Sequence, residues 1–168
     1  MHLTCGRLLK QDDWIDWQTS EFLQLDQYAD QKCFGDPTLV EKDDAVFHLV
    51  WTYNIKALDG CKKARCVCDG SSRSGSVKIL DEVNANCIDQ TSSQLFYAVS
   101  ATKNLLIFGS DVCNAFAKAP LPKQGFYIRP DRAFHEWWEN HLQRPPIPLG
   151  HVISVLSAMQ GHPESPQL

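Results

Sequence analysis

Two short stretches of the chain combine residue types that could bind a metal ion or a nucleotide. The first runs from Asp111 to Phe116 and reads Asp-Val-Cys-Asn-Ala-Phe. The second follows it in the chain, runs from Gln160 to Pro166 and reads Gln-Gly-His-Pro-Glu-Ser-Pro. A carboxylate, an aromatic ring, an amide and a flexible glycine are thus grouped in two blocks of fixed order. Ordinary core or loop sequence rarely combines these features.

Asp111 lies just after the apolar run Leu105–Phe108 and Gly109, which predicts a strand buried on both faces. A carboxylate at the end of such a strand is held in place yet open to solvent, and Mg²⁺ prefers hard oxygen ligands. Asp111 could instead cap the turn that follows it, and Phe116 taken alone is a typical core residue.

The Gln160-Gly161 pair offers two properties that a ligand site uses. Gly161 lets a backbone approach a neighbouring group closely, and the Gln160 amide can hydrogen-bond a base or a sugar. Ser165-Pro166 then has the sequence of a helix start, with Ser as the cap and Pro in the first turn.

A cationic strand face precedes both blocks. Apolar and polar residues alternate from His48 to Lys56 and again from Lys63 to Cys68, with a turn at Asp59-Gly60, so a β-hairpin is predicted. Lys63 and Arg65 share one face of it, and Lys56 joins them by parity. These three cations could clamp a triphosphate through charge-assisted hydrogen bonds, or they form an ordinary solvated strand face.

The remaining elements alternate irregularly, which favours the α+β class. We expect helices from Asp12 or Asp13 to about Gln31, from Thr91 or Ser92 through about Leu105, and from Arg132 to Leu142, with further strands at Gly125–Arg129 and Val152–Leu156.

Composition restricts the class of protein further. The chain has 168 residues, of which 43% are hydrophobic, so it can build a core. Its net charge of −4 gives no support to nucleic-acid binding, which usually needs a basic surface. No run of eighteen apolar residues predicts a membrane span, and the first residues lack the apolar stretch of a secretory signal. We therefore expect an intracellular protein, in the cytoplasm or nucleus, with no membrane partner.

The seven cysteines are expected to be reduced thiols in such a compartment. Cys61, Cys66 and Cys68 are close in sequence, but their spacing is not that of structural zinc sites. Cys66 and Cys68 alternate with Arg65 and Val67, which suits small apolar residues on the buried face of a strand.

In their order, these blocks resemble the reverse transcriptase of copia-type long-terminal-repeat retrotransposons, from about Trp14 to Leu168. The matching blocks are Trp51–Lys56, Lys63–Gly70, Asp111–Phe116, Gly125–Pro130 and Met159–Pro166. Each is a modest signal alone, whereas five in register are a strong one.

The resemblance implies an RNA-directed DNA polymerase that uses RNA template, DNA primer and deoxynucleotides, with the fingers and partial palm of a right-hand polymerase fold. It implies an N-terminal helical segment over residues 1–45 and a partial reverse transcriptase domain over 46–168. The fingers would span about 46–90 and 120–160, and the palm about 91–119 and 161–168.

The same resemblance implies residue roles. Asp111 would bind Mg²⁺ or Mn²⁺ with help from the Val112 carbonyl, for two-metal nucleotidyl transfer. Phe116 would exclude a ribose 2′-hydroxyl. Lys63, Arg65 and Lys56 would contact the triphosphate, and Gln160-Gly161 would form the floor of the nucleotide pocket.

One element of the family pattern is absent. The third palm motif, an aromatic residue, any residue and then Asp-Asp, does not follow Gln160; the pairs Asp12-Asp13 and Asp43-Asp44 precede Asp111 and lack the aromatic. We therefore expect this chain to be inactive alone, with exposed apolar surface where palm strands are lacking. The alternative is a non-catalytic retroelement remnant that at most binds nucleic acid or a protein partner.

Overall fold

The structure, a computed structural model, describes residues 5–71, 88–110, 115–121 and 125–163. The helices in these ranges are α1 (Cys5–Leu8), α2 (Trp14–Asp30), α3 (Gln90–Thr102), α4 (Ala115–Lys118) and α5 (Arg132–Glu136), which continues as a π-helical segment over Trp137–His141. The strands are β1 (Phe34–Thr38), β2 (Val46–Ile55), β3 (Lys62–Cys68), β4 (Phe126–Arg129) and β5 (Val152–Val155). The expected α+β class is confirmed. No helix in the described ranges is both long and apolar enough to cross a membrane.

The described strands form one mixed sheet in the order β1-β5-β4-β2-β3. β2 and β4 run parallel, with His48 opposite Arg129, and the other neighbouring strands run antiparallel. β3 forms one edge, and β1 forms the other. Pro37 in β1 is compatible with that edge position, because a proline has no N–H to give to a second neighbour.

The β2–β3 hairpin was predicted from sequence and is confirmed. Trp51 lies opposite Cys66, and Tyr53 lies opposite Ala64. Residues 56–61 connect the strands, and Gly60 adopts a φ of 67° that favours glycine. The alternation in β3 buries Ala64, Cys66 and Cys68 on one face and leaves the other face to solvent.

The main core joins α2, the sheet and α5 through a continuous cluster of buried side chains. Fully buried aromatic and aliphatic members include Leu25, Phe126, Ile128, Phe134 and Ile153. A smaller cluster under the hairpin comprises Leu8, Trp17, Tyr53 and Ala64. Together they fix the hairpin against α2, so the strand that carries the cationic face has a rigid support.

The start of α2 differs in detail from the expectation. Asp13 occupies the N-cap position, but its side chain makes no capping hydrogen bond. Its carboxylate instead pairs with Lys62 on β3, as does Asp16 at 2.7 Å. The ion pairs compete with the cap, and they attach the first turn of α2 to the hairpin.

Asp131 is a helix cap that also connects two elements. Its Oδ1 accepts a hydrogen bond from the Phe134 backbone N–H at 3.0 Å, which starts α5. Its Oδ2 accepts one from Trp51 Nε1 at 2.7 Å. One carboxylate therefore joins α5 to β2.

One strand predicted from sequence is absent from the described residues, and one strand of the sheet was not predicted. The segment 105–108, predicted as a buried strand, forms no regular element, and Leu106 and Phe108 are 85% and 88% exposed. An apolar run forms a strand only where a neighbouring strand can pair with it, and no described strand lies beside this one. Conversely, β1 was missed because Gly35 and Pro37 in its sequence indicate a turn rather than a strand.

Candidate functional site

Lys63 and Arg65 form an exposed cationic pair on β3, as predicted. They are two residues apart in a strand, so their side chains leave the same face of the sheet. Asn54 and Thr52 lie opposite them on β2 and are also exposed. Neither cation forms an ion pair with another residue in the described part of the chain. Both charges are therefore available to an anionic ligand.

Lys56 is placed differently from these two. It follows β2 in the connecting turn, where its N–H donates to the Cys61 carbonyl and its carbonyl accepts from the Gly60 N–H. Its Nζ lies 3.8 Å from Asp59 Oδ2, with both side chains about half exposed. A hydrogen bond from the Cys61 N–H lowers the pKa of Asp59 and keeps that carboxylate charged. Lys56 is thus partly neutralised by its own turn.

The opposite face of β3 is anchored through its backbone. Tyr28 Oη donates to the Cys66 carbonyl at 3.1 Å, and the Ala64 N–H donates to Ser20 Oγ at 2.8 Å. Burial raises the pKa of the Cys66 thiol well above its usual range and that of Cys68 to about 12. Both thiols are protonated at neutral pH, so they act as packing groups rather than as nucleophiles or metal ligands.

Gln160-Gly161 lies against the end of this strand. The Cys68 N–H donates to the Gln160 carbonyl at 2.8 Å. Gly161 has a φ of 91°, and a Cβ there would lie 2.1 Å from the Cys68 carbonyl oxygen. A Cβ on Gly70 would lie 2.3 Å from the Gly161 carbonyl oxygen. Gly161 therefore allows a close approach to the backbone of the hairpin. Gln160 remains exposed beside the hairpin.

His162 lies beneath this crossing of backbones. It is 5% exposed, and its ring centroid lies 4.4 Å from that of Phe126 and 5.1 Å from that of Phe47. Burial lowers its pKa to about 4. His162 is therefore a neutral core residue at physiological pH. No sequence pattern predicted this position, because polar residues surround it in the chain.

The first block reaches the same region through α4. Ala117 is buried, the Cys33 thiol contacts its carbonyl at 4.0 Å, and the Ala158 N–H donates to the Ala119 carbonyl at 3.4 Å. Phe116 in α4 is partly buried. Ala158, which bonds the Ala119 carbonyl just after α4, lies two residues before Gln160. Residues 158–161 therefore contact both the end of α4 and the hairpin.

Asp111 and Val112, to which the resemblance assigns Mg²⁺ or Mn²⁺, lie outside the described residues. Within residues 5–71, 88–110, 115–121 and 125–163, no group of three or more His, Cys, Asp or Glu side chains is placed to hold a metal ion. What the described part of this site offers is two cations and an amide, which suit an anionic ligand that can hydrogen-bond.

A buried ionic network, missed from sequence, braces the hairpin from behind. Glu21 is fully buried on α2 and accepts hydrogen bonds from Tyr53 Oη and, at 3.2 Å, from Arg132 Nη2. Burial raises the pKa of Glu21, while the Tyr53 hydrogen bond and the Arg132 charge act to lower it. Arg132 also pairs with Glu136 and lies 4.7 Å from the Trp14 ring. Only long-range pairing reveals this network, since its members are far apart in the chain.

Comparison of the chain with protein-family models, with curated proteins and with solved structures finds no match.

Proposed function

We propose that this chain is the fingers and partial palm of a copia-type reverse transcriptase, and that its hairpin binds the triphosphate of a deoxynucleotide. The observation that carries the proposal is the position of Gln160-Gly161 against the strand of Lys63 and Arg65. Residues 92 or more positions apart in sequence are joined there by the 2.8 Å hydrogen bond from Cys68 to Gln160. The resemblance assigned all four residues to one nucleotide pocket on sequence alone.

The chemistry of the described residues is consistent with this role. A triphosphate presents several anionic oxygens, and Arg65 can hold two of them with its planar guanidinium while Lys63 contributes a point charge. The exposed Gln160 amide has donors and an acceptor for a base or sugar. The buried face of β3 keeps the pair at a fixed spacing.

The two blocks of the proposed palm would supply the remaining chemistry. Phe116 follows Asp111 by five residues, and a ring beside the sugar would exclude a 2′-hydroxyl by overlap. Asp111, together with further carboxylates that do not follow Gln160 in this chain, would hold the metal ions that activate the attacking hydroxyl and stabilise the leaving pyrophosphate.

The direct test is the affinity of the full chain for dATP with magnesium, measured by isothermal titration calorimetry. We expect the double variant Lys63→Ala/Arg65→Ala to bind at least about tenfold more weakly, since each lost charge-assisted hydrogen bond contributes on the order of 1.4 kcal/mol or more. The matched control is Lys42→Ala/Lys103→Ala, which removes the same charge from exposed positions elsewhere. Equal affinities for the two double variants would overturn the proposal.

A second measurement distinguishes the enzyme fragment from a non-catalytic remnant. We expect no primer extension on an RNA template by this chain alone, with magnesium or manganese, because the third carboxylate motif does not follow Gln160. Product that is lost in Asp111→Asn would show that catalysis survives and would exclude the remnant. Binding of dATP without selection against ATP, unchanged by Phe116→Ala, would instead favour the remnant.

A further inference from the structure

A cleft of about 510 Å³ opens at one end of the sheet. It lies where β1 and β4 end and β5 begins. Thr38 at the end of β1 lies opposite Val152 at the start of β5. Its walls include Ile147, Pro148 and Val152, and Arg129 stands at the end of β4. Clefts of this volume with mainly apolar walls and a few polar groups are typical small-molecule sites.

The proline-rich wall of this cleft is held in place by hydrogen bonds. Trp138 Nε1 donates to the Pro145 carbonyl at 2.9 Å, and the His151 N–H donates to the Pro148 carbonyl at 3.0 Å. Gly150 makes the intervening turn with a φ of 81°. Because prolines also restrict the backbone, the wall is preformed and a ligand need not order it.

The polar side chains that line the cleft among the described residues are those of Arg129, His135 and His151, and no described Asp or Glu lines it. Arg129 is exposed and forms no ion pair within the described part of the chain. The nearest carboxylate to His135 is that of Glu139, 3.5 Å from Nδ1. In a chain with a net charge of −4, a cleft with an unpaired arginine and no described carboxylate in its lining is a local contrast that favours anions.

His151 has one ring nitrogen without a partner beside the cleft. Its Nδ1 is buried and has no hydrogen-bond partner among the described residues. Because protein atoms already cover Nδ1, the ring can offer a ligand only its other nitrogen.

We propose that the cleft binds a small organic anion, with its carboxylate or phosphate held by Arg129 and its apolar body against Ile147, Pro148 and Val152. Arg129 supplies the planar, permanently charged fork that matches either anion. His135 and His151 line the same volume and offer imidazole hydrogen bonds.

The cation of this site is separate from the cations of the proposed nucleotide site. Arg129 lies opposite His48, whereas Arg65 lies opposite Thr52, four residues further along β2. At about 3.3 Å per residue the two arginines are separated by roughly 13 Å along the strand alone. Each charge can therefore be removed without removing the other.

The test is a titration of the ¹⁵N-labelled full chain with four probes, followed by the amide signals of Gly150 and His151. The probes are benzoate, phenyl phosphate, benzyl alcohol and inorganic phosphate. We expect saturable shifts with the two aromatic anions, and the tighter of the two identifies the headgroup. Arg129→Gln should weaken that binding at least about tenfold, as expected for the loss of a charge-assisted contact.

Lys103→Gln is the matched control, since it removes one positive charge from an exposed position outside both proposed sites, and it should leave the affinity unchanged. The proposal is overturned if benzyl alcohol binds as tightly as benzoate, because the charge would then contribute nothing. Equal affinity for inorganic phosphate and phenyl phosphate would overturn it as well, because the apolar walls would contribute nothing. Loss of binding in Lys103→Gln equal to that in Arg129→Gln would also refute it.

Discussion

The five-stranded sheet with α2 and α5 differs sharply from the segment 88–110, although both are rich in apolar residues. In the sheet unit, Ile128, Phe134 and Ile153 are fully buried. In the segment, α3 buries only Ser100 among its residues, and Leu106 and Phe108 are 85% and 88% exposed. The difference lies in the partners that the described chain supplies and not in hydrophobicity.

This contrast shows which information a local pattern carries. An amphipathic period predicts that an element forms, and α3 does form, capped by Asp89 through the Ser92 N–H at 2.9 Å. It does not predict what covers the apolar face. Large exposed apolar patches usually mark contact surfaces, so the segment 88–110 has the character of an interface and the sheet unit that of a finished core.

The largest expected difference between the two regions comes from removing one aromatic ring from each of them. Phe134→Ala should lower the free energy of unfolding by about 3–5 kcal/mol, because it removes a fully buried ring and leaves a cavity. Phe108→Ala should change it by less than about 0.5 kcal/mol, because that ring is already in solvent. Urea denaturation of both variants measures the two values, and comparable losses would mean that the segment is covered after all.

A glycine comparison sharpens the same contrast at the level of the backbone. Gly161→Ala should cost at least about 3 kcal/mol, because its Cβ would lie 2.1 Å from the Cys68 carbonyl oxygen at a φ of 91°. Gly109→Ala in the segment meets nothing within 4 Å and should cost less than about 0.5 kcal/mol.

Gly150→Ala is the control for backbone strain without a clash. Its φ is 81°, but nothing lies within 4 Å of the added Cβ, so about 1–2 kcal/mol is expected. A Gly161→Ala variant no less stable than Gly150→Ala would show that residues 160–161 do not press against the hairpin.

The acid stability of the sheet unit should depend on His162. Burial lowers its pKa from 6.5 to about 4, so between these values the unfolded chain binds a proton that the folded chain does not. The contribution of His162 to the free energy of unfolding is therefore fully present above about pH 6.5. It falls by about 3 kcal/mol as the pH drops toward 4. In denaturation series from pH 7 to pH 4, His162→Phe should lose stability less steeply than the unaltered chain, and equal slopes would refute the assignment.

The comparison also explains how much could be predicted from sequence. The β2–β3 hairpin and the exposed face of Lys63 and Arg65 were predicted because a strand and its partner are adjacent in the chain. The α5 helix was predicted from its apolar spacing, although its last turn is π-helical. Short-range periodicity suffices for such elements.

Features that depend on distant parts of the chain were missed or wrong. The edge strand β1 exists because β5, more than a hundred residues later, pairs with Phe34 and Thr38. The segment 105–108 is not a strand because no described strand pairs with it. Burial of Glu21 and His162 likewise depends on residues that no local pattern connects to them, and no local pattern predicts the hydrogen bond from the Cys68 N–H to the Gln160 carbonyl.

The smallest effect on stability should accompany the largest effect on association. Leu106→Ser/Phe108→Ser replaces two exposed apolar side chains of the segment with polar ones. The free energy of unfolding should change by less than about 0.5 kcal/mol, while self-association and binding of a hydrophobic dye should fall, because the exposed apolar patch is reduced. Sedimentation velocity over a range of concentrations, together with dye fluorescence, measures both. If the unaltered chain is monomeric, melts sharply and binds no dye, the segment 88–110 is not an interface, and the contrast with the sheet unit fails.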